Sequence, residues 1–246
     1  MGTDMFPFHW RRDGPVLLFA LLFPSLGTWL YFVAFAGRGA VMGWTYGICK
    51  TLQFILPVFW VVVVQKERPD LRRLFAWRGV GMALAFGLAV VAGMLLLYHG
   101  HLCNSPVMVD VPDQIWNKIA AIGIDTPGAF LGMAVFIAGL HSFFEEYYWR
   151  WFVFGQLRRA MPLGAAVAVS AVGFALHHVI VLGAYFPDAY FWTAAIFFSV
   201  CVALGGCVWA WLYQRSGSLL GPWLSHLLVD AGIMWLGFVL CRGHFA

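Results

Sequence analysis

The segment His141-Ser-Phe-Phe-Glu-Glu-Tyr-Tyr-Trp-Arg150 lies within an apolar run that covers residues 127–154. Such a run is long enough for a helix to cross the hydrocarbon core of a bilayer, which takes about 20 residues. Two adjacent carboxylates and an arginine are costly in this environment, because ionisable groups lose their hydration at membrane depth. The segment therefore predicts a membrane-spanning helix that carries a functional site.

The spacing of these charges predicts different partners for the two acids. Glu146 and Arg150 are one helical turn apart, with the acid on the N-terminal side, which is the favourable order for an ion pair. Glu145 lies about 100° around the helix from Glu146, so it faces other groups. His141 precedes Glu145 by one turn on the same face. The alternative is an ion pair that only fixes helix packing.

The composition of the whole chain is that of a polytopic membrane protein. Of the 246 residues, 62% are hydrophobic and only 11% are charged, which lies outside the range of soluble globular domains. The formal net charge of +4 would suggest a nucleic-acid partner for a soluble protein. Here the basic residues lie in short loops, where they act as topology signals. We therefore expect a lipid bilayer around the protein and no nucleic-acid partner.

Seven apolar stretches are each about as long as a bilayer-spanning helix. They cover residues 15–36, 43–65, 80–98, 127–154, 163–186, 190–213 and 219–240. The predicted fold is an all-α, polytopic transmembrane helical bundle of about seven spans, with eight as the alternative. We expect one integral-membrane domain over residues 1–246, with a motif-bearing catalytic core at 127–240. In the loop 99–126, the spacing of apolar residues predicts a short interfacial helix around Ile115 and Ile119.

The distribution of Lys and Arg predicts the orientation. If the odd-numbered spans run outward, one side of the membrane carries ten of these residues and the other side carries three. Cytoplasmic loops are enriched in Lys and Arg, so we expect a multi-pass protein of the cytoplasmic membrane with its N-terminus in the cytoplasm and its C-terminus outside. Lys50 falls within the second span, and we interpret it as a side chain that extends to the membrane interface.

Two other predicted spans carry polar residues that should meet Glu145. Glu145 and His178 are each about 21 to 22 Å from the turn that joins the fourth and fifth spans, at a rise of 1.5 Å per residue. His226 is about 11 Å into the seventh span, and Asp230 lies one turn deeper. The four side chains are therefore expected to line one cavity.

These residue types suit the hydrolysis of an amide. A carboxylate beside a neutral histidine can hold a water molecule and remove its proton, which would be the joint task of Glu145 and His178. Polar donors on a facing helix can stabilise the tetrahedral oxyanion. His226 suits that task, and Asp230, at i+4, could orient its imidazole or donate a hydrogen bond when protonated.

Three short motifs on separate spans occur in a recognisable order. They are Glu145-Glu146-x-x-x-Arg150, Phe174-x-x-x-His178 and His226-x-x-x-Asp230. This order resembles the signature of the CPBP (CAAX protease and bacteriocin-processing) family of intramembrane proteases, also called the type II CAAX prenyl endopeptidase or Abi family. The resemblance covers residues 144–230 and implies that Glu145 is the general base that activates water, that His178 assists it, and that Glu146 pairs with Arg150.

The resemblance further implies an oxyanion site formed by His226 and the residue at position 230. Eukaryotic and archaeal CAAX-cleaving members have Asn there, whereas this chain has Asp230, which donates a hydrogen bond only when protonated. Phe174 and His141 are expected to support the site. His177, next to the second motif, is interpreted as a packing residue.

Members of this family are often called metalloproteases, and Glu145, His178 and His226 could serve as three zinc ligands. The chain has no HExxH pair. We therefore favour a mechanism without a cofactor, in which a glutamate activates the water, and we keep zinc as the alternative.

The favoured function is an intramembrane endopeptidase that hydrolyses a peptide bond in a membrane-associated peptide or protein. The alternative is a non-enzymatic membrane immunity or scaffold protein, in which the same polar cluster serves packing or partner binding. A proton or solute carrier is disfavoured, because seven spans without internal repeats differ from the usual transporter architecture.

Overall fold

The computed structural model describes residues 8–186 and 188–245, and seven helices there are long and apolar enough to cross a membrane. We number them α1 (Trp10–Ala34), α2 (Ala40–Val64), α3 (Val80–Leu102), α4 (Pro127–Ala160), α5 (Leu163–Tyr185), α6 (Asp188–Ser216) and α7 (Leu220–Cys241). The described residues contain no strand and no eighth helix of this kind. The predicted all-α bundle of seven spans is therefore confirmed, and the chain is a multi-pass integral membrane protein.

Helix α4 lies at the centre of the bundle. Helices α5 and α6 pack along each other, α3 packs along α7, and α1 packs against α5. The second half of α4 contacts α1, α2, α5 and α6, while its middle contacts α7. Its aromatic side chains Tyr148, Trp149, Phe152 and Phe154 are fully buried and form much of the core. The acidic segment is thus carried by the helix with the most neighbours to position it.

Helix α4 is longer than the apolar run predicted. The run ends at residue 154, but the helix continues to Ala160. Its last turn is polar, and a polar turn remains helical where its side chains can bind neighbouring groups. Arg158, for example, donates a hydrogen bond from Nη1 to the Met161 carbonyl oxygen at 2.9 Å.

Two π-helical segments of α4, Phe136–His141 and Tyr147–Phe154, lie on either side of Ser142–Glu146. A π-helical turn contains more residues than an α-helical turn, so each segment rotates the face that follows it, and such turns are frequent at functional sites. Phe136 and Leu140 are exposed on the bundle surface, whereas the acidic pair points inward. The change of helix type therefore coincides with the change from a lipid-facing to a core-facing surface.

Polar side chains join one end of α2 to the corresponding end of α4. The amides of Gln65 and Gln156 exchange two hydrogen bonds of 3.0 Å. Next to them, Arg159 forms an ion pair with Glu67 at 3.0 Å. These contacts fix the two helices at one level, so distances measured along them from this end can be compared directly.

Lys50 lies well inside α2, and its extension to the membrane interface stays a prediction. Helix α2 begins at Ala40, so Lys50 is about 15 Å from its start and about 21 Å from its end. A four-carbon side chain is too short to reach either end. Its Nζ atom instead lies 6.0 Å from the ring centroid of Tyr46 and 5.7 Å from that of Phe54.

The loop between α3 and α4 contains a helix, Val111–Ala120, where a short helix was predicted. Its residue Ile119 is buried against Phe130, near the start of α4, and Cys241, at the end of α7. The loop helix therefore packs on the bundle and joins α4 to α7 at that end.

Helices α3 and α7 approach each other most closely at Gly87. A Cβ atom on Gly87 would lie 2.9 Å from the carbonyl oxygen and 3.2 Å from the Oγ atom of Ser225. The contact is with backbone, which has little freedom to move. Because Ser225 precedes His226, this glycine controls how close a motif histidine lies to its neighbours.

We expect Gly87→Ala to destabilise the protein by about 1–3 kcal/mol, the usual cost of overpacking a core. Gly81→Ala is the matched control, since it lies on the same helix and its Cβ atom would meet nothing within 4 Å. Thermal unfolding in detergent measures both. Equal stability of the two variants would show that the helices can separate at this point without cost.

Candidate active site

The two acids of α4 have different partners, as their spacing predicted. Arg150 Nε lies 3.1 Å from Glu146 Oε2, and both side chains are completely buried. His226 from α7 has its Nδ1 atom 2.8 Å from Glu146 Oε1. An ionised carboxylate only accepts hydrogen bonds, so Nδ1 of His226 carries the proton and donates it. Glu146 therefore connects the arginine of its own helix to the histidine of α7.

Aromatic rings surround the Arg150 guanidinium. Its central carbon lies 4.6 Å from the ring centroid of Phe174 and 5.3 Å from that of Trp209. A cation over an aromatic face is attracted by the ring quadrupole, most strongly when it is desolvated. These rings help to compensate for the burial of the charge, and this gives Phe174 of the second motif a physical role.

Glu145 lies among histidines from three helices. Its Oε1 atom is 3.3 Å from His141 Nε2 on α4 and 3.4 Å from His177 Nε2 on α5. Its Oε2 atom is 3.7 Å from His226 Nε2 on α7. The side chain is buried. Unlike Glu146, this carboxylate has no Lys or Arg nitrogen within 4 Å among the described residues, and all of its close partners are imidazoles.

His177, interpreted from the sequence as a packing residue, packs in the core and also contacts Glu145. His177 is buried, and its Nε2 atom is one of the two closest nitrogens to Glu145. Its ring stacks on Trp149 with an interplanar angle of 5° and a centroid distance of 6.1 Å. The signal in the sequence was the His-His pair itself. Adjacent residues on a helix lie about 100° apart, so the two histidines point in different directions. The sequence does not show which of them faces Glu145, because it does not give the rotation of α5.

His178, the motif histidine, is half-buried and lies beside His177, with 4.1 Å between the ring centroids. Its Nδ1 atom is 3.0 Å from the carbonyl oxygen of Phe174. A carbonyl oxygen only accepts, so Nδ1 donates and Nε2 of the neutral ring is left as an acceptor. This tautomer leaves Nε2 able to take a proton.

Asp230 and Trp209 complete the surroundings of His226. Asp230 Oδ1 lies 3.5 Å from His226 Nε2. The Trp209 ring stacks on the imidazole with 4.2 Å between centroids and an interplanar angle of 18°. Trp209 also donates a hydrogen bond from Nε1 to Ser225 Oγ at 3.1 Å. Sequence reasoning missed Trp209, because nothing in the apolar sixth span distinguishes it from the other aromatic residues there.

The residues that could hold a metal ion differ from the predicted set. Ligand atoms of Glu145, His177 and His178 all lie within 4.8 Å of one another, whereas His226 uses Nδ1 to bind Glu146. A tetrahedral zinc ion with bonds of about 2.0–2.1 Å needs ligand atoms about 3.4 Å apart. The pair Glu145 and His177 has this separation. The donor set therefore suits zinc after a small movement of His178, with His177 in place of His226.

Residues 127–232 match the family model described as type II CAAX prenyl endopeptidase Rce1-like. The matched range contains all three motifs and every polar side chain of the site on α4, α5 and α7. It agrees with the family that the motifs indicated and points to a protease. No curated protein and no solved structure matches the chain.

Removing one partner of the buried pair of Glu146 and Arg150 should destabilise the fold more than removing both. Arg150→Met leaves an uncompensated carboxylate, and we expect a loss of about 3–5 kcal/mol in the free energy of unfolding. The double variant Glu146→Gln/Arg150→Met should recover part of this loss. Chemical denaturation in detergent gives the coupling energy, and Arg72→Met on the exposed loop is the control. Additive effects of the two substitutions would contradict the assigned pairing.

Proposed function

Since residues 127–232 belong to the type II CAAX prenyl endopeptidase Rce1-like family, we propose that this membrane protein is an intramembrane endopeptidase. It hydrolyses a peptide bond in a membrane-associated peptide or protein. The observation that carries the proposal is the position of Glu145, whose carboxylate is buried among imidazoles while Arg150 is taken up by Glu146.

The first step is attack of water on the scissile carbonyl carbon. Glu145 accepts a proton from the water as the new C–O bond forms, and the carbonyl π electrons move to the oxygen. His178 offers Nε2 as a second acceptor near the same water. His141 and His177 hold the Glu145 carboxylate in position through Oε1, so that Oε2 is the oxygen free to face the substrate.

His226 is the donor best placed to stabilise the oxyanion. Because Nδ1 donates to Glu146, a neutral His226 has no proton on Nε2, and it can donate from Nε2 only as an imidazolium. The carboxylates of Glu145 and Asp230 lie 3.7 and 3.5 Å from Nε2, and both favour that cation. In this site Asp230 thus acts through His226, a role that needs no proton on the aspartate.

Collapse of the tetrahedral intermediate completes the reaction. The electron pair on the oxyanion re-forms the carbonyl bond, the C–N bond breaks, and the proton held by Glu145 moves to the leaving amine nitrogen. Water has then added across the peptide bond as a hydroxyl on carbon and a hydrogen on nitrogen. Each group returns to its starting protonation state.

The orientation of the site follows from the topology proposed from Lys and Arg. With the N-terminus in the cytoplasm, the joined ends of α2 and α4 also lie on the cytoplasmic side, and Glu145 is about 22 Å from the end of α4. A substrate reaches this depth from the cytoplasmic side or from the lipid. It therefore needs a segment that is stable in an apolar environment.

A zinc-dependent form of the same hydrolysis is the second candidate, and the grouping of Glu145, His177 and His178 favours it. These three residues would hold the ion, which when bound supplies a Lewis acid and lowers the pKa of its water. His226 and Asp230 would keep the same tasks at the oxyanion. The two forms differ in their response to a chelator.

We expect Glu145→Gln to lower the rate of peptide hydrolysis by about 10²–10⁴-fold, the usual contribution of a general base. The amide keeps the shape of the side chain, so the folded fraction should not change. Cleavage of a fluorogenic membrane-peptide library by the detergent-purified protein measures the rate, and Asp188→Asn, at the exposed start of α6, is the control.

The same assay run with a chelator separates the two forms of the mechanism. Full activity in chelator supports the glutamate mechanism, whereas loss that added zinc restores assigns Glu145, His177 and His178 as ligands. If the Glu145→Gln variant cleaves as fast as the unmodified protein, the peptidase proposal fails and the alternative of a membrane immunity or scaffold protein takes its place.

His177 should act as a positioning residue. We expect His177→Ala to lower kcat by about 10–100-fold with little change in KM, because a hydrogen bond to a charged group contributes about 1.5–3 kcal/mol. His177→Gln places an amide nitrogen near the position of Nε2 and should restore part of kcat. A purely structural role predicts loss of the folded fraction in both variants, which size-exclusion chromatography in detergent would show.

A further inference from the structure

Lys50 lies about one helical turn from the level of Glu145. Measured from Gln65 and Gln156, whose hydrogen bonds hold α2 and α4 together, Lys50 is about 22 Å along α2 and Glu145 is about 16 Å along α4. The difference of about 6 Å is close to one α-helical turn. Lys50 is thus level with His141, on a helix that contacts α4.

Lys50 forms no ion pair with any of the described residues. Its Nζ atom donates a hydrogen bond to Gln53 Oε1 at 3.4 Å, and the aromatic rings of Tyr46 and Phe54 lie 6.0 and 5.7 Å away. No carboxylate lies within 4 Å of Nζ among the described residues. An unpaired cation at membrane depth is costly and normally has a partner or a functional use.

The side chain faces the contact between α2 and α4. Phe54, one turn after Lys50, stacks on Phe144 with 4.6 Å between ring centroids, and Phe144 is the neighbour of Glu145. Tyr147 donates a hydrogen bond to the Phe54 carbonyl oxygen at 3.1 Å, which fixes the two helices against each other.

This edge of the site is one of its more accessible edges. Glu145, His177 and His226 are buried, whereas Lys50 and His141, like His178 and Asp230 elsewhere in the site, are half-buried. A peptide with its scissile bond at Glu145 that leaves the site along this edge would pass Lys50. A negative charge on that part of the peptide would lose its hydration there, and Lys50 is the cation available to compensate it.

We propose that Lys50 is a substrate subsite that binds a carboxylate. The proposal rests on the peptidase function proposed above and adds a charge requirement to it. The carboxylate belongs either to the free C-terminus of the substrate or to an acidic side chain close to the scissile bond. A lysine suits both, because its ammonium is a compact charge on a flexible stem with three donors.

Peptide binding to the Glu145→Gln protein tests the proposal without hydrolysis. The probe is a fluorescein-labelled, farnesylated peptide that ends in a cysteine, two aliphatic residues and a serine. It is made with a free C-terminal carboxylate, with a C-terminal amide, and as the amide with an aspartate in the last position. Fluorescence anisotropy in detergent gives the dissociation constant of each.

We expect the free acid to bind about 10–100-fold more tightly than the amide, since a charged hydrogen bond contributes about 1.5–3 kcal/mol. Adding Lys50→Met to the Glu145→Gln protein should remove this difference, while Lys50→Arg should keep it. Recovery of affinity by the aspartate peptide would assign the subsite to a side-chain carboxylate, and recovery by the free acid alone would assign it to the C-terminus.

Equal binding of the acid, the amide and the aspartate peptide would overturn the proposal, as would an equal loss for all three in the Lys50→Met protein. If the Lys50→Met variant does not fold, the test uses the Lys50→Arg variant. Its preference for the free acid over the amide is then compared with that of the folded Glu145→Gln protein. Binding is independent of catalysis. A charge preference without any cleavage would contradict only the peptidase function, and cleavage without a charge preference would contradict only the Lys50 subsite.

Discussion

The buried contact of Glu146 with Arg150 and His226 is the interaction on which the rest of the site depends. Burying a carboxylate and a guanidinium at membrane depth is tolerated only when each satisfies the other. Here the pair is completed by His226 at 2.8 Å and by the rings of Phe174 and Trp209. The contact fixes α4 against α5, α6 and α7, so every side chain on those helices has a defined position relative to Glu145.

A consequence of this pairing is that two adjacent glutamates acquire different chemistry. Glu146 is neutralised by a permanent cation and serves the structure. Glu145, about 100° away on the same helix, meets imidazoles, which carry no permanent charge. One helix thus supplies both an anchor and a candidate base, and the anchor keeps the arginine away from the base.

The cationic groups around Glu145 differ in whether a carboxylate of the protein binds them. Arg150 is held by Glu146, His226 lies 3.7 Å from Glu145, and Lys50 lies at a half-buried edge, where Gln53 is its hydrogen-bond partner and no described carboxylate pairs with it. The buried charges of the site are therefore paired within the protein, whereas the cation at its edge forms no ion pair with the described residues. This difference is what separates groups that assemble the site from a group that is available to a ligand.

The sequence by itself determined the features that depend on local geometry. Length and apolarity predicted seven spans, and the i,i+4 spacing predicted the contacts of Glu146 with Arg150 and of Glu145 with His141, because a helix fixes the distance between residues one turn apart. Only the tertiary structure decided that His177 faces Glu145, that Trp209 covers His226, and that Lys50 lies about one turn from the level of the base. These positions depend on the rotation and height of one helix relative to another. Side-chain packing sets both, and the periodicity of a single apolar sequence does not encode them.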